Sequence, residues 1–493
     1  MIEPIKLNTK NLAMLNTNIR IPTYDRKEVK VGIVHIGIGG FHRAHQAYLV
    51  NQLLEQGMAT HWGICGVALL GADRKIYDVL LEQDGLYTLI VPDIEGNFST
   101  QVIGSIVELL YAPENPSAVI RKMADKSIGI VTLTITEGGY NYTSDGNFNW
   151  QNEDVVWDLQ HPEKPKTVFG YLYAALKLRK ASGIAGLTIQ SCDNIEQNGD
   201  VMRQMLYAFI SKADPEMIDW MDEHITFPNS MVDRITPVTT DSLRKMLAEN
   251  FELNDGWPVV CESFYQWVVE DLYAAGRPDW ENVGVQMVSD VTPYEKMKIR
   301  LLNGGHTLVG LVGYLLGYRY IHESVADPAI ASLLRTYMDE EVTPTLDDVP
   351  GVNLDQYKET LIDRFRNPFI KDEVARIISG SSAKFPKFIL PVIIDRIKDH
   401  KSVRIAAFIV ACWYQYLKLN LATPNNVQDE IARVLLESVM RADQEGDPLV
   451  FLDISEMFGS IKEHRAFTES YLSHLKILNG IRMKKLNLNA YLP

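Results

Sequence analysis

Apolar positions divide this chain into two stretches of different character. Up to about residue 288, short runs of β-branched and aliphatic residues recur: Val29 to Ile36, "HWGICGVALL" (61–70), "IGIVTLTIT" (128–136), "GIAGLTIQSCDN" (183–194) and "WPVVCE" (257–262). Between them lie stretches with apolar residues at helical spacing, such as "TVFGYLYAALKLRKA" (167–181) and "NGDVMRQMLYAFISKA" (198–213). Strand runs alternating with helical patterns predict a parallel sheet covered by helices. Beyond "GVQMVSDVTP" (284–293) the strand runs fade. Helices are then expected over 294–317, 325–340, 354–366, 370–379, 386–398, 402–418 and 427–441, with a C-terminal set after them. Pro293, Pro328, Pro344, Pro350 and Pro424 punctuate this part. The pattern predicts an α/β domain over 1–288 and a mainly helical domain over 289–493, as a length of 493 residues favours.

Composition narrows the class. A formal net charge of −15 argues against a nucleic-acid-binding face, which needs a basic surface. Cys65, Cys192, Cys261 and Cys412 show neither disulfide-framework nor zinc-ligand spacing, which fits a reducing compartment. No apolar stretch reaches membrane-spanning length, and "MIEPIKLNTKNL" lacks the pattern of a secretory leader. A cytoplasmic protein without a membrane partner is therefore expected, either a monomer or a small homo-oligomer.

The first strand runs through Gly37-Ile38-Gly39-Gly40-Phe41 into a helix with apolar Ala47, Leu49, Val50 and Leu53. Strand, glycine turn and helix is the dinucleotide-binding order: the glycines let the backbone approach a pyrophosphate, and the helix N-terminus stabilises its charge. The third glycine of G-x-G-x-x-G falls on His42, so the fingerprint is incomplete. Asp73, shortly after the second strand, suits the ribose hydroxyls of NAD. Ala72 precedes it, and Arg74 and Lys75 would suit a 2′-phosphate, so NADP stays open. Ligands of such sheets sit beyond the carboxyl ends of the strands, which puts Gly37, Glu137 and Asn194 at one rim. The pair His42-x-x-His45 has too few partners for a metal site and reads instead as a cationic helix start near phosphates. No metal is expected.

"KIRLLNGGHTL" (298–308) is an apolar helix that carries Lys298, Asn303 and His306. At about 100° per residue, Glu295, Lys298, Asn303 and His306 share an arc of roughly 140°, with Lys298 and His306 about 12 Å apart along the axis. Such a row suits an extended ligand with several hydroxyls. A lysine buried near a nucleotide acts as a base once desolvation lowers its pKa, and amides stabilise a forming alkoxide. Gly304 and Gly305 cost helix stability, and close approach of a ligand is one reason to keep them.

"GIGGFHRAHQA" (37–47), "TITEGGY" (134–140), "SCDN" (191–194), "FPNSMVDRITP" (227–237), "VTPYEKMKIRLLNGGH" (291–306) and "SSAKFPKF" (381–388) together resemble the polyol-specific long-chain dehydrogenase/reductase family over nearly the whole chain. The resemblance implies a Rossmann-type N-terminal domain, a mainly helical C-terminal domain and a metal-independent site in the cleft between them. It implies reversible NAD-dependent oxidation of a polyol, with D-mannitol to D-fructose at C2 as the leading reaction. Reduction of D-fructuronate or D-tagaturonate is the alternative. Carried over, Lys298 is the general base, Asn194 and Asn303 are the oxyanion-stabilising amides, and His306 orients substrate hydroxyls. Asp233 accepts a substrate hydrogen bond, Arg376 and Lys384 bind the far end of the substrate, and Glu295 relays the lysine's proton.

Overall fold

In a computed structural model of the chain, residues 3–143, 145–184 and 186–479 are described. Two compact units emerge, Met1–Thr292 and Pro293–Pro493. Any part of the expected C-terminal helices that falls within 480–493 lies outside the described residues.

The first unit is built on a six-stranded, wholly parallel sheet: β1 Val31–Ile36, β2 Gly63–Ala68, β3 Ile106–Tyr111, β4 Ile130–Leu133, β5 Leu187–Ser191 and β6 Ile225–Thr226. Its spatial order is β6-β5-β4-β1-β2-β3, the doubly wound Rossmann order. β1, β2, β4 and β5 are buried almost without interruption because helices cover both faces of the sheet. The strand order reverses between β1 and β4, so their carboxyl ends open the crevice where such sheets bind ligands.

Two smaller sheets were not evident in the apolar runs. In one, Tyr87–Pro92 pairs antiparallel with Phe98–Ile103 and parallel with Val259–Val260. "WPVVCE" therefore contributes to this sheet and not to the dinucleotide sheet. In the other, Ser230–Asp233 pairs antiparallel with Gln266–Glu270, which pairs parallel with Gln286–Val288.

The helical unit surrounds Arg404–Leu419, which is buried on nearly every side and packs against Arg465–Asn479. The Glu341 carboxylate satisfies its first amides, accepting from Ile405 N at 2.7 Å and Ala406 N at 2.8 Å. Burial raises the Glu341 carboxyl to about 7. Where one helix was expected over 325–340 there are two, Ile321–Ala326 and Pro328–Thr336, because Pro328 starts a new helix on the Asp327 cap. The helix expected over 370–379 shortens to Val374–Ile378. Among the described residues no helix is long and apolar enough to cross a membrane.

Candidate active site

Two hydrogen bonds anchor the Gly37 turn to the neighbouring strands. Gly37 N donates to Val67 O at 3.0 Å, and its carbonyl accepts from Thr134 Oγ1 at 3.0 Å. His35 Nε2 lies 2.8 Å from the same carbonyl, and His35 Nδ1 lies 2.7 Å from Thr132 Oγ1. Gly37 has φ +105°, and a Cβ there would lie 2.3 Å from Thr134 O, so only glycine fits. Gly39 is exposed with open space where a Cβ would be, while Gly40 and Phe41 are half-buried and Ile38 is buried.

The helix after the turn is broken in two, α1 Gly40–Ala44 and α2 Gln46–Glu55. His45 sits between them at φ −117°, ψ −90°. Side chains satisfy the carbonyls freed at the break: Tyr87 OH donates to Arg43 O, and Arg234 donates to Ala44 O, each at 2.5 Å. Arg43 itself is fully buried. Its Nε donates to Ile38 O and Gly39 O at 3.2 and 3.3 Å, and its ring partner is Tyr87. Among the described residues no carboxylate lies within 4.0 Å of this guanidinium, which burial lowers to about 10 and which stays charged at neutral pH. A glycine cradle with a buried, unpaired cation bonded to its carbonyls fits a dinucleotide pyrophosphate.

His42 and His45 are not a cationic helix start. His42 is stacked on His35 at 3.4 Å between ring centroids, and burial holds it well below its ordinary pKa; burial lowers His45 to about 4. Both rings are neutral at pH 7 because nothing solvates their charge. Among the described residues no group of three or more His, Cys, Asp or Glu side chains is arranged to hold a metal ion.

Asp73, half-buried after β2, accepts from Leu70 N at 2.9 Å through Oδ2. The neighbouring cations have partners of their own: Arg74 pairs with Asp78 at 2.8 Å and with Glu114, and Lys75 lies 5.6 Å from the Trp257 ring centroid.

Beyond β4 and β5, Glu137 and Asn194 are exposed. Asp193 ties their loops together, accepting from Ile135 N and Thr136 N at 2.9 Å each and from Tyr140 OH at 2.8 Å. Thr136 is held there at φ +59°, a strained geometry for a β-branched residue. Buried Asn198 then links the Asn194 turn to the strand that ends in Asp233. Its Nδ2 donates to Asp193 O at 3.0 Å and Ser230 O at 2.8 Å, and its Oδ1 accepts from Ser230 N at 2.9 Å. Asp233 is buried, and Arg234 donates to Glu262 O at 3.1 Å between the rings of Tyr48 and Tyr265. Sequence reasoning missed Arg43, Asp193 and Asn198, although all three lie within or beside the motifs it quoted.

In the helical unit, the row of polar residues lies on a helix with a change of winding. Thr292–Met297 is α-helical, Lys298–Asn303 is a π-turn, and Gly304–Leu316 is α-helical again. Gly304 N donates to Ile299 O, the i→i+5 bond of that turn. The uniform 100° step is therefore corrected. In an α-helix residues five apart diverge by about 140°, whereas i→i+5 winding stacks them one turn apart, which aligns Lys298 with Asn303. Glu295, Lys298 and His306 are buried and Asn303 is half-buried. A Cβ on Gly304 would meet Phe388 O and Tyr337 OH at 3.4 and 3.5 Å, and one on Gly305 would meet Leu334 at 2.9 Å. Gly305 thus makes room for the chain's own packing, whereas a Cβ on Gly304 would make only ordinary contacts.

His306 stacks on Phe365 at 4.0 Å, and burial, reinforced by Arg376, Arg364, Lys384 and Lys298, holds it well below its ordinary pKa. Its Nε2 lies 3.8 Å from Asp372 Oδ2. Arg376 is bidentate on Asp372, with both bonds at 2.7 Å, and Lys384 donates to Ile377 O at 2.8 Å and Ser379 O at 2.6 Å. Lys296 pairs with Asp347 at 2.8 Å.

Comparison with known proteins extends this geometry. Residues 31–282 match the family model described as the mannitol dehydrogenase Rossmann domain, and residues 290–479 match the mannitol dehydrogenase C-terminal domain. The mannitol 2-dehydrogenase of Phaeosphaeria nodorum is 45% identical over 487 residues, covering 97% of this chain and 84% of that protein. Mannitol dehydrogenase DSF1 of Saccharomyces cerevisiae is 44% identical over 475 residues, 95% of this chain and 94% of its own. Among solved structures, the Pseudomonas fluorescens mannitol 2-dehydrogenase ternary complex with NAD and D-mannitol superposes with a TM-score of 0.85 at 44% identity, covering 96% of this chain and 97% of that one. A D-sorbitol dehydrogenase in substrate-free form superposes with a TM-score of 0.88 at 36% identity, covering 99% and 100%.

Proposed function

Because the chain belongs to the mannitol dehydrogenase family, we propose that it is an NAD-dependent polyol dehydrogenase that interconverts D-mannitol and D-fructose at C2 without a metal. Residues 1–288 serve as the dinucleotide-binding domain and 289–493 as the substrate domain. The observation that carries the reading is the π-turn, which aligns Lys298 with Asn303 on a buried helix.

NAD, when bound, supplies the hydride acceptor. Gly37, Ile38, Gly39, Gly40 and Phe41 receive its pyrophosphate, with the charge of Arg43 behind them. Asp73 takes the ribose hydroxyls, and Glu137 and Asn194 border the nicotinamide end. The pairing of Arg74 with two carboxylates leaves it poorly suited to a 2′-phosphate and supports NAD over NADP. Lys298 removes the proton of the C2 hydroxyl, Asn303 and Asn194 donate to the oxygen as its charge develops, and Glu295 passes the lysine's proton towards water. Neutral His306 offers one donor and one acceptor to substrate hydroxyls, Asp233 accepts from another, and Arg376 and Lys384 hold the far end.

A second reading, reduction of D-fructuronate or D-tagaturonate, draws support from the four cations that face His306. NADH oxidation with D-fructose and, separately, with D-fructuronate, each with and without EDTA, decides between them. Chelator-resistant turnover of fructose is expected. Turnover of fructuronate alone would move the chain to the acid-sugar reaction, and turnover abolished by EDTA would remove the metal-free mechanism.

A further inference from the structure

Asp372 is fixed more firmly than the arginine it holds. Its side chain is 6% exposed against 60% for Arg376. Its carbonyl accepts from Ile321 N at 2.9 Å, and the next residue, Glu373, bridges to Tyr320. Both carboxylate oxygens are occupied by one edge of the Arg376 guanidinium, Nε on Oδ1 and NH2 on Oδ2. That leaves NH1 and one NH2 hydrogen for other acceptors. Around His306, Asp372 is thus a fixed negative charge among Arg376, Arg364, Lys384 and Lys298.

We propose that Asp372 makes this chain select neutral sugars over acidic ones, by holding Arg376 through one edge and presenting a fixed negative charge to any carboxylate that approaches the same arginine. The inference rests on the reading of Arg376 as a contact for the far end of the substrate. A hydroxyl needs only a single hydrogen bond from the free edge. A carboxylate gains little from an arginine whose charge is already compensated, and it is repelled by Asp372. Without Asp372 the same cluster becomes an anion site. Asp372 is a positioning residue in this scheme, and the hydride step is untouched.

The test compares wild type, Asp372→Asn and Asp372→Glu in NADH oxidation with D-fructose and with D-fructuronate, which carries a carboxylate in place of the far hydroxymethyl group of fructose. Turnover of fructose by the wild type tests the functional reading itself, and its absence overturns that reading before the variants are considered. In Asp372→Asn the ratio of kcat/KM for fructuronate to that for fructose rises on the order of tenfold to a hundredfold, mainly through KM for the acid; Asp372→Glu keeps the wild-type preference. Equal losses on both substrates overturn the inference, because a merely structural residue would produce them. If Asp372→Asn does not fold, inhibition of the wild type by D-mannonate, the acid analogue of mannitol, decides. A Ki at least about tenfold above the KM for mannitol supports the inference, and equal or tighter binding overturns it.

Discussion

Asn194 stands exposed at a strand end, whereas Lys298 is buried in a helix, and the two regions that carry them organise polar groups in opposite ways. In the α/β unit the groups proposed to meet a ligand are mainly backbone atoms of the glycine turn and exposed side chains such as Glu137 and Asn194. Buried and half-buried residues hold the turns that carry them: His35 and Thr134 on Gly37 O, Arg43 on Ile38 O and Gly39 O, Asp193 on two amides, Asn198 across two strands. In the helical unit Glu295, Lys298 and His306, proposed above for the chemistry, are themselves buried, and a local change of winding aligns Lys298 with half-buried Asn303. The first arrangement separates display from support, so function can fail while folding survives. The second combines them in the same residues.

Substitutions can break that comparison. Lys298→Ala should lower kcat by about 10²–10⁴-fold while leaving NADH affinity intact, as steady-state rates and fluorescence titration would show. An unchanged kcat removes the proposed base. Two glycines two residues apart then separate support from display. Gly37→Ala adds left-handed strain and a Cβ against Thr134 O, and should cost about 2–5 kcal/mol of stability in urea unfolding. Gly39→Ala should stay within about 0.5 kcal/mol of wild type, because nothing stands where its methyl would go. It should nonetheless raise the Kd for NADH on the order of tenfold by blocking close approach. If both glycines behaved alike, the distinction would be lost.

Asn198→Ala leaves Ser230 N without its acceptor and two carbonyls without their donor, a loss of about 1–3 kcal/mol in urea unfolding of the α/β unit. KM for fructose should rise more than KM for NADH, since the residue links the Asn194 turn to the strand of Asp233. The last test is of pH dependence. The unfolded chain protonates His35 near 6.5 while the folded chain resists protonation down to about 3. Stability from this residue is therefore complete above 6.5 and declines as pH falls towards 3. Between pH 4 and 6 its share of the slope is about 1.4 kcal/mol per pH unit, and His35→Asn should remove that share in urea midpoints measured across the range.

The sequence disclosed the parallel sheet because its strands, buried on both faces, are apolar enough to stand out: β1, β2, β4 and β5 all fall inside the predicted runs. Phe98–Ile103, with exposed residues at its start, and the two-residue Val259–Val260 gave a weaker signal, and their sheet was not anticipated. Gly37 was legible because the strained turn demands its residue type. Asp193 and Asn198 were not, because their partners lie up to 58 residues away and no local spacing reveals such a bond. The lysine, asparagine and histidine of the helix were legible as a group. Their alignment was not, because periodicity presumes one winding throughout.

The π-turn also bears on how such a site can be lost. Wider winding accommodates one residue more than an α-turn of the same height, so substitutions that let 298–303 relax into unbroken α winding, with every residue kept, would change the phase of the helix there. Every residue after 303 would then swing by about 100° about the axis relative to those before 298. Lys298 and His306 would both still be encoded, on a helix at least as stable as before, yet turned away from each other. A gene could in this way retain all its chemical groups and lose the reaction through a change of phase alone.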